Sequence, residues 1–315
     1  MELSFSFPWE VALLSWLQAH MGPGAVAAGA CLSMLGEQAL VVAVVAFLYW
    51  CYDKEYGKFL AVNLCAVIVC NSAVKNLVLR RRPYCDHPQL RCLRPPEAKA
   101  DIYDLTAQGY SFPSGHSSTA ATAYGSLAVF RPRRWRKVLA VLLPLLVGFS
   151  RICLGVHYPT DVLAGWALGA LAVFALGAAW KRVKRRRLLY LCLAALGLPG
   201  WLICRSTDFY SGYGLMLGLF AAILFEERFV NFAVTRRPLR GVVRILAGVG
   251  LFLALNAALK LPFRQEFLDG GSFLAHLVRA GRYALCAFAV MGLYPLLFRR
   301  CDRFWERGNI TQKRT

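Results

Sequence analysis

Acidic residues are scarce in this chain, and charged residues of either sign are few. The 315 residues include 17 Asp and Glu against 37 Lys and Arg, and only 17% are charged while 58% are hydrophobic. Soluble globular domains carry about 25% charged residues, so an ordinary soluble domain of this length is excluded. The composition, with a mean hydropathy of +0.47, instead indicates an all-α protein that crosses a membrane several times.

Long apolar runs account for that composition. Nine segments approach the length of about 20 residues that spans a bilayer. They cover residues 30–50, 57–79, 116–131, 138–156, 160–180, 188–204, 210–226, 241–260 and 281–298. We therefore predict a transmembrane helical bundle of about nine spans. We divide it into an N-terminal segment (1–29), a core (30–182) and additional C-terminal helices with a basic cytoplasmic tail (183–315).

The segment before the first span has a different character. Residues 8–20 are too short to cross a bilayer but place aromatic residues and leucines at helical spacing. This pattern predicts a helix that lies in the membrane interface, and an additional packed core helix is the alternative. No cleavable signal peptide is expected, because no basic residue precedes the apolar stretch.

The net charge of +20 does not indicate a nucleic-acid partner, because the basic residues occur as short runs between apolar segments. The runs fall in alternate connections, at residues 131–137, 181–187, 228–244 and from 299 onward. Basic connections of membrane proteins stay in the cytoplasm. We therefore expect a multi-pass protein of the cell membrane with its 84–110 loop and its N-terminus on the extracytoplasmic side.

Eleven cysteines do not predict a metal site, because none of them follows zinc-ligand spacing. Most lie inside apolar spans, where cysteine behaves as a small hydrophobic residue. Cys85 and Cys92 are exceptions, since both fall in the predicted extracytoplasmic loop, where oxidation is possible. Spacing alone leaves open whether they form a disulfide bond.

Three short motifs concentrate the residues that can perform chemistry. They are Lys75-x6-Arg82-Pro83, then Pro113-Ser114-Gly115-His116, then Ser150-Arg151-x5-His157-x3-Asp161. Pro159 suits the first turn of a helix, so His157 precedes that helix and Asp161 lies in its first turn. A carboxylate that accepts the proton of one ring nitrogen leaves the other nitrogen free to attack phosphorus.

The remaining motif residues suit a phosphoryl group. A helix that starts at Ser114 and Gly115 offers free backbone N–H groups to an anion. The cations Lys75, Arg82 and Arg151 can stabilise the charge on the phosphoryl oxygens. His116 is placed to protonate a leaving alkoxide. These groups require neither a metal nor another cofactor. Arg80 and Arg81, next to the first motif, are interpreted as interfacial residues, and contact of either one with a lipid phosphate is the alternative.

In this order the three motifs resemble the signature of the type 2 phosphatidic acid phosphatase superfamily, over about the second quarter of the chain. The resemblance implies a membrane phosphatase core in which His157 forms a phosphohistidine, Asp161 orients it and His116 is the general acid. It implies that five further residues bind the phosphate, namely Lys75, Arg82, Ser114, Gly115 and Arg151. The substrate would be a lipid phosphate or lipid pyrophosphate.

Several points stay open at this level. Leu48-Tyr49-Trp50 with Asp53, together with the extra spans, resemble the sphingosine-phosphate phosphatase branch, whereas Gly115 departs from the Ser-Thr-His form expected there. A lipid phosphotransferase that uses the same phosphohistidine, or a non-enzymatic lipid transporter on the same fold, is the alternative function. Glu37, inside the first span, either lines the path of substrate access or pairs with a cation. The oligomeric state is not predicted.

Overall fold

A computed structural model describes residues 5–298 of the chain. Its first eight helices are α1 Pro8–His20, α2 Pro23–Met34, α3 Gln38–Phe47, α4 Lys54–Val78, α5 Pro83–Asp86, α6 Leu105–Gln108, α7 Gly115–Phe130 and α8 Arg134–Cys153. The remaining helices are α9 Pro159–Arg182, α10 Arg186–Gly197, α11 Gly200–Ile203, α12 Thr207–Phe225, α13 Pro238–Ala258, α14 Gln265–Asp269 and α15 Phe273–Phe288. Short π-helical segments follow three of them, at Leu48–Tyr52, Glu226–Val230 and Ala289–Leu293.

The all-helical, membrane-spanning architecture is confirmed. Within the described part of the chain, seven helical stretches are long and apolar enough to cross a membrane, at Pro23–Tyr52, Lys54–Val78, Pro159–Arg182, Arg186–Ile203, Thr207–Val230, Pro238–Ala258 and Phe273–Phe298. The other two predicted spans coincide with α7 and α8. Helix α7 has only 16 residues, and α8 contains Arg134, Arg136, Lys137 and Arg151. The count of nine spans therefore stays a prediction.

The helices group into two compact units. Unit 1 contains Met1–Val44 and Asn63–Phe209, and unit 2 contains Val45–Val62 and Tyr210–Thr315. This grouping divides the chain at other places than the predicted domains do, because it moves residues 183–209 to unit 1 and residues 45–62 to unit 2. The predicted basic tail from residue 299 onward lies outside the described residues.

In unit 1, helices α8 and α9 both pack on α7. Close approach of α9 depends on glycine: a Cβ added at Gly165 would lie 2.7 Å from the Ser114 carbonyl oxygen, and one at Gly169 would lie 2.7 Å from that of Ser118. Glycines four residues apart let two helix backbones meet in this way. The N-terminal turn of α9 is thereby held against that of α7, and Ser114 N–H donates to the Asp161 carbonyl at 2.9 Å.

Helix α1 presents two different faces. Glu10, Leu14 and Gln18, spaced four residues apart, are buried, and the Gln18 side-chain amide exchanges two hydrogen bonds with the Arg91 backbone, at 2.8 and 2.9 Å. Trp9 and Trp16 are 51% and 57% exposed. One face thus packs within unit 1, while exposed tryptophans are typical of residues at a membrane interface. The interfacial position of α1 stays a prediction.

In unit 2, the three π-helical segments contribute to one hydrophobic cluster. Tyr49 and Trp50, from the first segment, are buried together with Val230 from the second and Val290 from the third. Each π turn adds a residue to a helix and leaves the backbone pattern locally disrupted. The Arg244 side chain gives one buried backbone carbonyl here a partner, because its Nη1 donates to the Trp50 oxygen at 3.0 Å.

Candidate active site

The three motifs meet at one end of unit 1. Lys75 lies in the last turn of α4, Arg151 lies in the last turn of α8, and Ser114 is the N-cap of α7. The turn between α8 and α9 depends on Gly155, whose φ of 74° lies in the left-handed region that favours glycine. This reversal brings Arg151, before the turn, and His157, after it, to the same place.

His157 and Asp161 form the centre of the site. Both side chains are buried, and His157 Nδ1 lies 3.6 Å from Asp161 Oδ2. The carboxylate is held in turn by the Tyr158 N–H, which donates to Oδ2 at 2.8 Å. With Nδ1 toward the carboxylate, Nε2 is directed to the other side of the ring, where it lies 3.4 Å from Arg82 Nη1. This is the orientation that nucleophilic attack by Nε2 requires.

The surroundings of His157 favour its neutral form. Burial lowers the pKa of His157 well below its ordinary value of 6.5, and the positive charges of Arg82, Arg151 and Lys75 lower that pKa further. Desolvation and like charge both oppose a second proton on the ring. The imidazole is therefore unprotonated at neutral pH, and one ring nitrogen carries an available lone pair.

The buried Arg82 and Arg151 and the half-buried Lys75 surround this histidine and are held by neutral acceptors. Lys75 Nζ donates to the Tyr110 carbonyl at 2.6 Å. Arg82 Nη1 and Nη2 donate to the Val156 and Gln108 carbonyls at 2.9 and 2.8 Å.

Arg151 is the least satisfied of the three cations. Its Nη1 donates to the Ser33 hydroxyl at 2.6 Å, and its Nε is buried without a hydrogen-bond acceptor among residues 5–298. The nearby carboxylates are occupied elsewhere, because Asp161 and Glu10 pair with Arg80 and Glu37 pairs with Arg94. The positive charge at this end of unit 1 is therefore available to an anion.

At the start of α7, the N–H of Ser114 donates to the Asp161 carbonyl and is therefore not among the N–H groups that this helix start offers to an anion. The Ser114 hydroxyl accepts from Ser117 N–H at 3.4 Å and Oγ–H at 2.9 Å, and thus caps the helix. The N–H groups of Gly115 and His116, in the first turn, are the ones that a helix leaves unpaired. Phosphate binding by Ser114 and Gly115 stays a prediction.

His116 lies in the same first turn, half-buried, and interacts electrostatically with Arg151, His157, Arg82 and Lys75. The junction between α2 and α3 packs closely against it. A Cβ added at Gly36 would lie 3.0 Å from the His116 carbonyl oxygen. The structure thus brings together all three predicted catalytic residues and the three predicted phosphate-binding cations.

Glu37 follows that junction and pairs with a cation. Its Oε1 lies 2.5 Å from Arg94 Nη2, with both side chains about one-third exposed. The same guanidinium donates to the Ala30 carbonyl from Nη1. The structure therefore favours the ion-pair alternative, and a role for Glu37 in substrate access stays a prediction.

The interpretation of Arg80 as an interfacial residue is wrong. Its side chain is fully buried, with Nη1 2.7 Å from Asp161 Oδ1 and Nη2 2.7 Å from Glu10 Oε2. The preceding residue, Leu79, has a φ of 54°, and this left-handed turn ends α4 and directs Arg80 into the protein. Stacking of the guanidinium on the Tyr158 ring, 4.0 Å from its centroid, completes the enclosure.

Glu10 is the residue that sequence reasoning missed. Besides its ion pair, its Oε1 accepts from Thr160 N–H at 3.0 Å and from the Thr160 hydroxyl at 2.6 Å. The one available signal was an acidic residue on the same helical face as Leu14 and Gln18. Nothing local shows that its partner is 70 residues away, at Arg80.

The structure also shows the state of the two cysteines in the predicted extracytoplasmic loop. Cys85 and Cys92 are free thiols, half-buried against a small cluster that contains Tyr84, Leu154 and Val156, so the structure contains no disulfide bond between them. Burial raises the pKa of both thiols.

Within the described part of the chain, no group of three or more His, Cys, Asp or Glu residues could hold a metal ion.

Two family profiles match this chain. The profile of the PAP2 superfamily matches residues 56–188. A second profile, described as PAP2 superfamily phosphatase, transmembrane extension, matches residues 210–304. The first match contains all three motifs, and the second covers most of the described helices of unit 2.

Similar proteins include decaprenylphosphoryl-5-phosphoribose phosphatase of Mycobacterium tuberculosis, 32% identical over 56% of this chain and 96% of that protein. Phosphatidylglycerophosphatase B of Bacillus subtilis is 39% identical over 25% of this chain, and undecaprenyl-diphosphatase of Sulfolobus acidocaldarius is 29% identical over 45%. The chain spans only 43% and 65% of the lengths of these last two relatives. A solved transmembrane PAP2 type phosphatidylglycerolphosphate phosphatase from Bacillus subtilis aligns with a TM-score of 0.44 at 26% identity, over 56% of this chain and 87% of that one.

Proposed function

Because the chain belongs to the PAP2 superfamily, we propose that it is an integral membrane phosphatase that hydrolyses a lipid phosphate or lipid pyrophosphate through a phosphohistidine intermediate. The observation that carries the proposal is a buried neutral histidine, next to a carboxylate and surrounded by three cations that have no carboxylate partner among residues 5–298. Such a site stabilises a phosphoryl group through charge and position alone.

In the first step, Nε2 of His157 attacks phosphorus while the bond from phosphorus to the lipid oxygen breaks. His116, in its protonated imidazolium form, donates a proton to that oxygen and becomes neutral, so the lipid leaves as an alcohol, or as a lipid phosphate when the substrate is a pyrophosphate. Asp161 stabilises the positive charge that develops on the attacking ring. Lys75, Arg82 and Arg151 stabilise the charge on the three non-bridging oxygens.

In the second step, a water molecule attacks the phosphohistidine. His116, now without its proton, accepts one proton from that water, and the bond between phosphorus and Nε2 breaks. Inorganic phosphate leaves, and both histidines return to their starting states. No redox change or additional reactant is needed.

We assign the site to the extracytoplasmic side from the distribution of basic residues between the two ends of the helices. The catalytic residues lie where α8 ends and where α7 and α9 begin, whereas the basic runs 131–137 and 181–187 lie at the opposite ends of these helices. Basic connections face the cytoplasm, so we assign the catalytic end to the other side of the cell membrane. Helix α1 belongs to the same end, because Glu10 contacts Arg80 and Thr160 there.

A lipid substrate follows from the position of the site at the ends of spanning helices. A phosphate at headgroup depth can reach the three cations while its chains stay in the bilayer. The names of the three relatives each specify a phosphorylated lipid or isoprenoid as substrate, which supports this class without selecting one member.

The test is a phosphate-release assay with the detergent-purified full chain. The panel contains phosphatidic acid, phosphatidylglycerol phosphate, an isoprenyl pyrophosphate and a sphingoid-base phosphate, with glycerol phosphate as the soluble control. We expect free phosphate from at least one lipid and none from His157→Ala. Transfer of the phosphoryl group to an added alcohol without phosphate release would establish the phosphotransferase instead. Lipid movement across vesicles that survives His157→Ala, without hydrolysis, would establish the transporter.

A further inference from the structure

An apolar groove runs along the opposite half of unit 1, between α8 and α9 and over α7. Its volume is about 900 Å³. Its walls are small or aliphatic side chains, among them Ala121, Gly125, Ala140, Val141, Ala170 and Val173. None of the residues placed in the candidate active site lines it.

The groove exists because α8 and α9 both pack on α7 with small side chains between them. At its inner end the Trp166 ring closes it: a Cβ added at Gly148 would lie 2.4 Å from that ring. The indole is fixed there, since its Nε1 donates to the Pro144 carbonyl at 3.0 Å. The groove is therefore separated from the catalytic end by a fixed aromatic wall.

Three cations line the other end of the groove, which is its rim: Lys137 on α8, and Lys181 and Arg182 on α9. All three are exposed, and none of their side chains has an ion-pair or hydrogen-bond partner among residues 5–298. Neighbouring arginines are engaged, since Arg136 donates to the Arg131 carbonyl and Arg186 stacks on the Trp180 ring at 3.7 Å. The positive charge at the rim is thus unpaired within the described structure.

The dimensions match half a bilayer. From Trp166 to Lys181 the helix α9 rises by about 22 Å, and one leaflet including its headgroup region is about 20–22 Å thick. An acyl chain that starts beside the rim cations can therefore lie along the groove and end near Trp166. The chemistry of such an occupant is an apolar chain with a negative charge at its polar end.

We propose that this groove binds an anionic phospholipid of the leaflet at this end of the helices. Its phosphate is held by Lys137, Lys181 and Arg182, and one acyl chain fills the groove. A zwitterionic lipid presents no net charge to the rim and is bound less tightly. The site is separate from the candidate active site, and the proposal does not depend on the catalytic function.

The test is native mass spectrometry of the detergent-purified full chain with phosphatidylglycerol or phosphatidylcholine of identical acyl chains. The triple variant Lys137→Gln/Lys181→Gln/Arg182→Gln should lose affinity for phosphatidylglycerol by about fivefold for each charge removed. The matched control, Arg133→Gln/Lys184→Gln/Arg185→Gln, removes three charges from the same end of the helices without touching the groove. We expect it to bind phosphatidylglycerol as the unaltered chain does. Equal losses in both variants, or no preference for phosphatidylglycerol over phosphatidylcholine, would overturn the proposal.

A second pair of variants tests the position of the acyl chain. Ala170→Leu places a larger side chain in the groove, whereas Ala175→Leu adds the same volume to an exposed position of α9 outside it. Ala170→Leu should lower the binding of phosphatidylglycerol while Ala175→Leu leaves it unchanged. Unchanged binding in Ala170→Leu, with the protein eluting as a folded monodisperse species, would show that no chain occupies the groove.

Discussion

Each of the two units contains a cluster of charged residues with buried members, and the two clusters satisfy those charges differently. In unit 1, Lys75, Arg82 and Arg151 are held by carbonyl and hydroxyl oxygens. In unit 2, Lys54 Nζ lies 2.8 Å from Glu226, and Lys58 Nζ lies 2.9 Å from both Glu55 and Glu227; the five groups come from two short segments, 53–58 and 226–231.

This difference separates a ligand site from a structural network. Cations that donate to neutral oxygens keep their net charge, which the low dielectric of a buried site makes available to an anion. The positive charge of cations that are paired with carboxylates is already neutralised within the fold. Removing one partner of such a pair leaves an uncompensated charge. Burial of charge alone thus does not identify a functional site, and the identity of the partners does.

The largest effect is expected from the nucleophile of unit 1. His157→Ala should lower kcat by at least about 10⁴-fold, because the proposed mechanism passes the phosphoryl group through His157. The control is Lys58→Met in unit 2, which should retain kcat per folded molecule. Phosphate release with a lipid substrate measures both. Similar kcat losses in the two variants would mean that the comparison between the units is wrong.

The next largest losses of kcat are expected from substitutions of the arginines that surround His157. Removing one charge-stabilising donor from a catalytic site typically costs about 10²- to 10³-fold in kcat, and we expect this for Arg82→Ala and for Arg151→Ala. Arg151→Lys should recover only part of the loss, since a lysine cannot offer two parallel donors. Steady-state kinetics with circular dichroism as a folding control measure these effects. A loss confined to KM would reassign the cations to ground-state binding.

Substitutions in the ion-pair network of unit 2 should change the stability of the fold and not kcat. Glu226→Gln leaves Lys54 and Lys58 without a buried counter-charge and should destabilise the fold by about 3 kcal/mol, with kcat per folded molecule nearly unchanged. Thermal unfolding in detergent is the readout, and Glu55→Gln, at a more exposed position, is the matched control with a smaller effect. Unchanged thermal stability in Glu226→Gln would contradict the structural assignment.

Glu10→Gln sharpens the comparison within unit 1, because Arg80 is the one buried cation of the site that is paired as in unit 2. Weakening one of its two carboxylate partners should let Arg80 draw Asp161 away from His157. We expect a loss of roughly tenfold in kcat with KM unchanged, as for a positioning residue that acts through others. Gln18→Ala, on the same face of α1 but bonded to the Arg91 backbone, is the control. Equal kinetic losses in the two would indicate only a general loosening of α1.

The smallest expected effect concerns pH, because kcat/KM should not change as the pH falls below neutrality. Since the folded-state pKa of His157 lies well below 6.5, the ring stays neutral and nucleophilic as the pH falls through that value. For a substrate whose leaving group needs no protonation, kcat/KM should stay level from about pH 8 to about pH 6. His116, as the general acid, would produce a basic limb, in which kcat/KM falls as the pH rises. An acid limb with a midpoint near 6.5 would therefore contradict the lowered pKa of His157.

Much of the fold is contained in local sequence. Each of the nine predicted spans falls on helical structure, because length and hydropathy are properties of one continuous segment, although span 30–50 crosses the junction between α2 and α3 and span 188–204 covers both α10 and α11. The same holds for the motif residues His157 and Asp161, which share the start of one helix. Their separation of four residues brings them together without any information from the rest of the chain.

The partners of the buried charges were decided only by the tertiary structure. Arg80 and Arg82 are both arginines beside the same helix end, yet the left-handed turn at Leu79 and the docking of α1 give Arg80 two carboxylates and leave Arg82 with carbonyls. Likewise, the sequence shows basic runs near residues 137 and 181, but not that three of these cations border one groove. The physical reason is that ion pairs and grooves depend on which helix faces meet, and segments far apart in the chain supply those faces.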